Sequence, residues 1–142
     1  ALGDRLSHKD YFVYAVLGDG ECDEGEVWEA AMAASHHQVN NLIAIVDRNR
    51  IQNDRFTDDV MTLEPLAAKW RAFGWRVLES PGHDFPSLFE VIGRAQRGRT
   101  KPTVIIAHTV KGKGVSFMEN NPAFHGRAPN QEEYRKTMEE LA

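Results

Sequence analysis

Short apolar runs alternate along this chain with glycine-bearing polar joints and amphipathic stretches. The first run, Tyr11-Phe12-Val13-Tyr14-Ala15-Val16-Leu17, is too short for a globular helix and rich in β-formers, which predicts a buried strand. An acidic loop, Glu21-Cys22-Asp23-Glu24-Gly25, leads into a helical pattern over about 26–38. Val27, Ala30, Ala31, Ala34 and Val39 fall on its apolar surface, with Trp28 and Met32 offset on it. His36 and His37 near its end suit the negative pole of a helix dipole. A second apolar run, Leu42-Ile43-Ala44-Ile45-Val46, closes on Asp47-Arg48-Asn49-Arg50-Ile51. The stretch 11–54 thus reads as strand, loop, helix, strand, with polar residues at the end of each strand.

The remainder repeats the theme. Residues 55–64 are polar and predict a loop, after which Leu63-Glu64-Pro65 opens a helix through Phe73. Pro65 fits a first helical turn, and Gly74 fits the stop. A short strand over 75–78, a turn at 81–84 and an amphipathic helix over 85–96 follow. His83 is read as a turn residue, and Thr103-Val104-Ile105-Ile106-Ala107 as the last buried strand. Strands alternating with helices argue for an α/β fold, a mostly parallel sheet with helices on both faces. Residues 108–130 are long and without periodicity, the mark of a functional loop in a compact domain. Lys111, Lys113, His125 and Arg127 concentrate positive charge there, and Asn130 is placed to cap a terminal helix over 131–141.

Composition narrows the classes. At 142 residues, 42% hydrophobic and 27% charged, residues 1–142 fit one globular domain. A net charge of −4 gives no basic footprint, so nucleic acid is not the expected partner. No apolar run approaches the roughly twenty residues of a membrane span, and no signal-like start is present. Cys22 is the one cysteine, which excludes a disulfide framework or a cysteine metal cluster. A cytoplasmic location is expected.

The candidate chemistry lies where the first two strands end. Asp19 offers a carboxylate, Asn49 a side-chain carbonyl thirty residues on, and the chain at Ile51 a backbone carbonyl. An all-oxygen set with few protein ligands suits Mg²⁺ or Ca²⁺, completed by water and phosphate oxygens. A helix opening after Gly25 would aim free N–H groups at an anion, and Gly18 and Gly20 let backbone approach it. In open α/β sheets ligands bind beyond the carboxyl ends of strands.

Gly18-Asp19-Gly20, about thirty residues, then Asn49 resembles the thiamine diphosphate signature of the transketolase superfamily. The fuller text, GDGECDEGEVWEAA with VDRNRIQ, resembles transketolase, and KGKGVSFMENNPAFHGRAP resembles the amino-terminal subunit of transketolases split into two chains. The resemblance covers the chain from about Tyr11 to Ala142. It implies that Asp19, Asn49 and the Ile51 carbonyl bind Mg²⁺ or Ca²⁺, and that Gly18 and Gly20 contact the diphosphate. It also implies that Glu24 links two active sites across a dimer, with Glu29 in the same interfacial network. His125 would reach the diphosphate and the donor sugar. One departure stands at Asn53, where related chains usually carry an apolar residue beside the thiazolium ring.

The resemblance further implies that the chain starts partway through the cofactor domain, lacking upstream histidines and a glycine-rich loop. The partner would be a pyrimidine-binding transketolase chain or domain, in a homo- or hetero-oligomer acting on sugar phosphates. The implied reaction moves a two-carbon ketol unit from a ketose to an aldose. Within the superfamily the alternatives are a deoxyxylulose-phosphate synthase or the first component of a 2-oxoacid dehydrogenase. Outside it, the alternative is a non-catalytic assembly subunit.

Three motifs fail on inspection. Residues 93–100 read GRAQRGRT, near a phosphate-binding P-loop, but Arg99 replaces the lysine and the segment follows a helix. A calcium loop from Asp19 would need glycine where Glu24 stands, and its twelfth position is Ala30. The dinucleotide pattern needs a glycine where Asp23 stands.

Overall fold

A computed structural model describes residues 1–7, 9–53 and 55–142, so Asp54, the end of the first predicted unit, lies outside the described residues. Helix α1 (Leu2–Ser7) precedes strand β1 (Val13–Gly18). A 3-10 turn (Gly20–Asp23) joins β1 to helix α2 (Gly25–His36), which returns to β2 (Leu42–Arg48). Two short strands, β3 (Ile51–Gln52) and β4 (Arg55–Phe56), pair antiparallel before helices α3 (Thr57–Val60) and α4 (Leu66–Ala72). Strand β5 (Arg76–Pro81), helix α5 (Phe85–Arg97) and strand β6 (Thr103–His108) complete the sheet. A 3-10 turn (Pro122–Phe124) and helix α6 (Gln131–Glu140) form the tail.

The main sheet runs β1-β2-β6-β5, every neighbouring pair parallel. Its central strands are near-continuous apolar runs because helices cover both faces there. Alternate residues divide between the two sides. Ala44, Val46, Val104 and Ile106 join Val27, Ala31 and Ala34 of α2 and Leu66 and Trp70 of α4. Ile43, Ile105 and Leu78 join Val91 and Ala95 of α5 on the other. Trp70 is held between Trp28 and Trp75, with ring centroids 5.1 and 4.9 Å away, and Trp75 Nε1 donates to the Ala31 carbonyl at 2.9 Å. That aromatic cluster fixes α2, and so the acidic turn before it, against the sheet.

The edge departs from expectation. The apolar run of β1 predicts a buried strand, yet it is an outer one whose Tyr14 and Val16 are exposed, Val16 to 71%. The reason is coverage: α5 packs on β5 and β6 and leaves that part of β1 open. Residues 55–64, expected as loop, hold β4 and α3, elements too short to leave a periodic signal. The loop at 21–25 is mostly a 3-10 turn, stitched by Cys22 N–H to the Asp19 carbonyl at 3.0 Å. Pro65 stands just before α4, and the Glu64 carboxylate accepts the Leu66 N–H at 2.9 Å. Asn130 caps α6 as its sequence position predicts, accepting the N–H groups of Glu132 and Glu133.

Candidate functional site

β1 and β2 end side by side, Gly18 opposite Asp47, and the Asp19 N–H donates to the Asp47 carbonyl at 3.2 Å. Asp19 therefore emerges at the carboxyl edge of the sheet and caps the 3-10 turn. Its Oδ1 accepts the Gly20 N–H at 2.8 Å, and its Oδ2 accepts the Arg50 N–H at 2.6 Å. Arg50 adopts a φ of 66°, a left-handed conformation held here against its intrinsic cost.

The second partner of Asp19 Oδ2 is Arg48 Nη1 at 2.8 Å, in an ion pair with Arg48 2% and Asp19 1% exposed. Arg48 also donates to Thr57 Oγ1 at 2.8 Å and to Glu64 Oε1 at 3.1 Å. Burial works against the charge on Arg48, but hydrogen bonds to Asp19 and Glu64 outweigh it and raise its pKa. The carboxylate is oriented by three donors before any ligand arrives.

Asn49 is buried; its Oδ1 accepts the Ile51 N–H at 2.9 Å and its Nδ2 donates to Asp47 Oδ2 at 3.2 Å. Ile51, expected to offer its carbonyl from irregular chain, instead lies in β3 opposite Phe56. Gly20 sits where a Cβ would run into Gln52, whose amide donates to Asp23 Oδ2 at 2.9 Å. Only glycine lets the turn and β3 close together there.

These elements wall a cleft of about 440 Å³. Gly18, Asp19, Gly20, Glu24, Asn49, Ile51 and His125, all candidates by sequence, line it together. Glu29 does not; it is exposed farther along α2. Of the four basic tail residues only Lys111 and His125 reach the cleft. Lys113 pairs with Glu119 at 3.1 Å, and Arg127 makes two 2.8 Å bonds to Glu133. Asn53 lines the cleft with a φ of 47°, a conformation asparagine tolerates better than most residues, which gives a backbone reason for its presence.

Sequence reasoning passed over Glu21, Asp47 and Gln52 in the wall, and Arg48 behind it. The available signal for Arg48 was a cation closing a buried apolar run, which requires a carboxylate partner. Cys22, beside Asp19, is no nucleophile: burial first, then Asp19, Glu21 and Asp23, pushes its thiol up to about 12.

Chemically the cleft has two sides. Asp19, Glu21, Glu24 and Asp47 favour a cation, while Lys111 and His125 favour an anion. Among the described residues no group of three or more His, Cys, Asp or Glu is arranged to hold a metal unaided. A hard cation would draw on Asp19 and Asn49 and fill its shell from outside the chain. The anion side has donors too. The Glu24 side chain does not cap α2, and the Gly18 N–H already carries a carboxylate oxygen, Glu21 Oε2 at 3.0 Å. Together these features fit a divalent cation bridged to a diphosphate.

The family model described as "Transketolase, thiamine diphosphate binding domain" matches residues 3–142. A "6-deoxy-6-sulfo-D-fructose transketolase subunit SqwG" from Clostridium sp. (strain MSTE9) is 40% identical over 99% of this chain and 51% of its own length. An apulose-4-phosphate transketolase subunit from Phocaeicola vulgatus is 39% identical over 100% of this chain and 50% of its own. The chain thus spans about half the length of these curated relatives. Transketolase from Campylobacter jejuni superposes with a TM-score of 0.86 at 31% identity, over 92% of this chain and 20% of that one.

Proposed function

Because the chain belongs to the transketolase thiamine diphosphate-binding domain family, we propose that it holds thiamine diphosphate for a two-chain transketolase. The observation that carries this reading is the meeting of Asp19, Asn49, Lys111 and His125 on one cleft at the ends of adjacent parallel strands. Asp19 and Asn49 would hold Mg²⁺ or Ca²⁺, with Ile51 supplying a carbonyl, and Lys111 and His125 would face the diphosphate. When bound, the cofactor supplies the carbon nucleophile for transfer of a two-carbon ketol unit between sugar phosphates.

This chain's share of the mechanism is positioning. Arg48 and the N–H groups of Gly20 and Arg50 fix the Asp19 carboxylate, so a cation meets a donor that needs no reorganisation. Gly20 allows the acidic turn to lie against β3, which brings Asn49 beside it. His125, exposed on the tail above the cleft, would hydrogen-bond the diphosphate and the donor sugar. Glu24, just before α2, and Glu29, within it, are both exposed and would face a neighbouring protomer.

Partnership with a pyrimidine-binding chain is supported by relatives whose names call them subunits. It is also supported by the apolar surface left open at Val16, Phe85 and Phe89. We place the assembly in the cytoplasm, since the chain's one cysteine is a free, buried thiol. No helix among the described residues is long and apolar enough to cross a membrane.

Calorimetric titration of thiamine diphosphate into the assembled enzyme, with and without Mg²⁺, tests the site. Asp19→Ala should abolish the Mg²⁺-dependent part of binding, and Asn49→Ala should weaken it. Wild-type affinity in Asp19→Ala would overturn the assignment.

A further inference from the structure

The segment that fails as a phosphate loop, 93–100, builds a different cleft at the opposite end of the sheet, where β5 and β6 begin. Arg76 opens β5, Arg94 and Arg97 lie in the last turns of α5, and Gly98 and Thr100 follow the helix. These five residues line a recess of about 230 Å³. Among the described residues no acidic side chain lines it, and none of the three arginines has a carboxylate partner. The nearby cation Arg99 is engaged elsewhere, 2.6 Å from Asp10.

Complementing the α5 dipole accounts for a basic last turn, but not for Arg76, which comes from a strand. The Arg76 guanidinium lies over Gly98, where any Cβ would overlap it, and its Nη1 donates to the Arg94 carbonyl at 2.9 Å. The Arg97 guanidinium folds back over Gly93, 3.2 Å from where a Cβ would stand. Two glycines thus make room for two guanidiniums, and a helix carbonyl holds one in place. Each guanidinium offers five donors in a planar fork, the geometry that pairs with phosphate oxygens.

We propose that this recess binds a phosphate-type oxyanion, through guanidinium donors instead of the backbone amides a P-loop would use. The site is separate from the cofactor cleft, which lies at the carboxyl ends of the strands.

Titration calorimetry of inorganic phosphate into the enzyme at low ionic strength tests the assignment. Saturable binding is expected, weakened about tenfold by Arg94→Gln or by Arg97→Gln, the loss of one charge-assisted bond. Both side chains are exposed, so the variants should keep the wild-type melting temperature. Gly98→Ala should weaken binding similarly by displacing Arg76. Absence of saturable heat overturns the proposal. So does unchanged affinity in the Arg94→Gln/Arg97→Gln double variant, which would put phosphate elsewhere, including the cofactor cleft.

Discussion

Replacing Arg48 by methionine should cost more stability than any surface change. Met keeps most of the volume but removes the charge facing Asp19, which is only 1% exposed. Asp19 then retains two donors, the N–H groups of Gly20 and Arg50, and Thr57 loses its partner. Glu64 and Asp58, both about half exposed, pass to water at little cost. Breaking a buried pair from one side typically costs about 3–5 kcal/mol; the surviving donors put this case near the lower figure. Urea unfolding of wild type, Arg48→Met, Asp19→Ala and the double variant gives the coupling directly. The double variant should be at least about 2 kcal/mol more stable than the two single losses predict when added. If Asp19 is a metal ligand, Mg²⁺ should stabilise Arg48→Met more than wild type, since the cation replaces the missing guanidinium charge. A loss below about 1 kcal/mol, or simple additivity, would refute the claim that this ion pair organises the site.

His125→Ala should cut sugar transfer in the reconstituted enzyme while leaving the melting temperature unchanged, because the exposed ring packs into no core; unchanged turnover would detach His125 from catalysis. The start of α6 should loosen in acid. Two hydrogen bonds from Arg127, then the Asn130 N–H, hold the Glu133 carboxyl down at about 2, against an ordinary 4.5. A lowered folded-state pKa gives a contribution that is complete above the ordinary value and lost as pH falls from about 4.5 toward 2. Amide exchange in the first turn of α6 should follow that window, and Glu133→Gln should remove the pH dependence.

What sequence revealed of the site follows from how each residue acts. Asp19, Asn49 and the glycines announce themselves because polar residues at the ends of apolar runs have few other uses there. Lys111 and His125 could be grouped with Lys113 and Arg127 by charge alone, since a loop without periodicity carries no directional information. The structure divides the four by their local partners, Glu119 and Glu133, which lie six residues from Lys113 and from Arg127. Arg48 was harder. Its partner is twenty-nine residues away, and only the parallel pairing of β1 with β2 brings the two together. The hairpin of β3 and β4 was illegible for another reason: two-residue strands have no period to detect.

The sheet is legible from sequence in its centre but not at its edge, for a physical reason. A parallel strand covered on both faces reads as a continuous apolar run, and β1 does, through Tyr14, Ala15, Val16 and Leu17. Among the described residues its two sides are covered unequally. α2 lies over the face that Leu17 shares with Ala44 and Val46, while Val16 stands open on the other. On the open side α5 turns outward two aromatic rings one helical turn apart, Phe85 at 73% and Phe89 at 77% exposure. The same helix stays in touch with β1, since Gln96 donates to the Tyr14 hydroxyl at 2.6 Å. Isolated exposed apolar residues need no explanation, but a strand edge and a helix stripe open on the same side of one sheet do. The amino acids of β1 are therefore those of an interior strand, and the reading of this chain as one component of a larger assembly rests on its sheet as much as on its cleft.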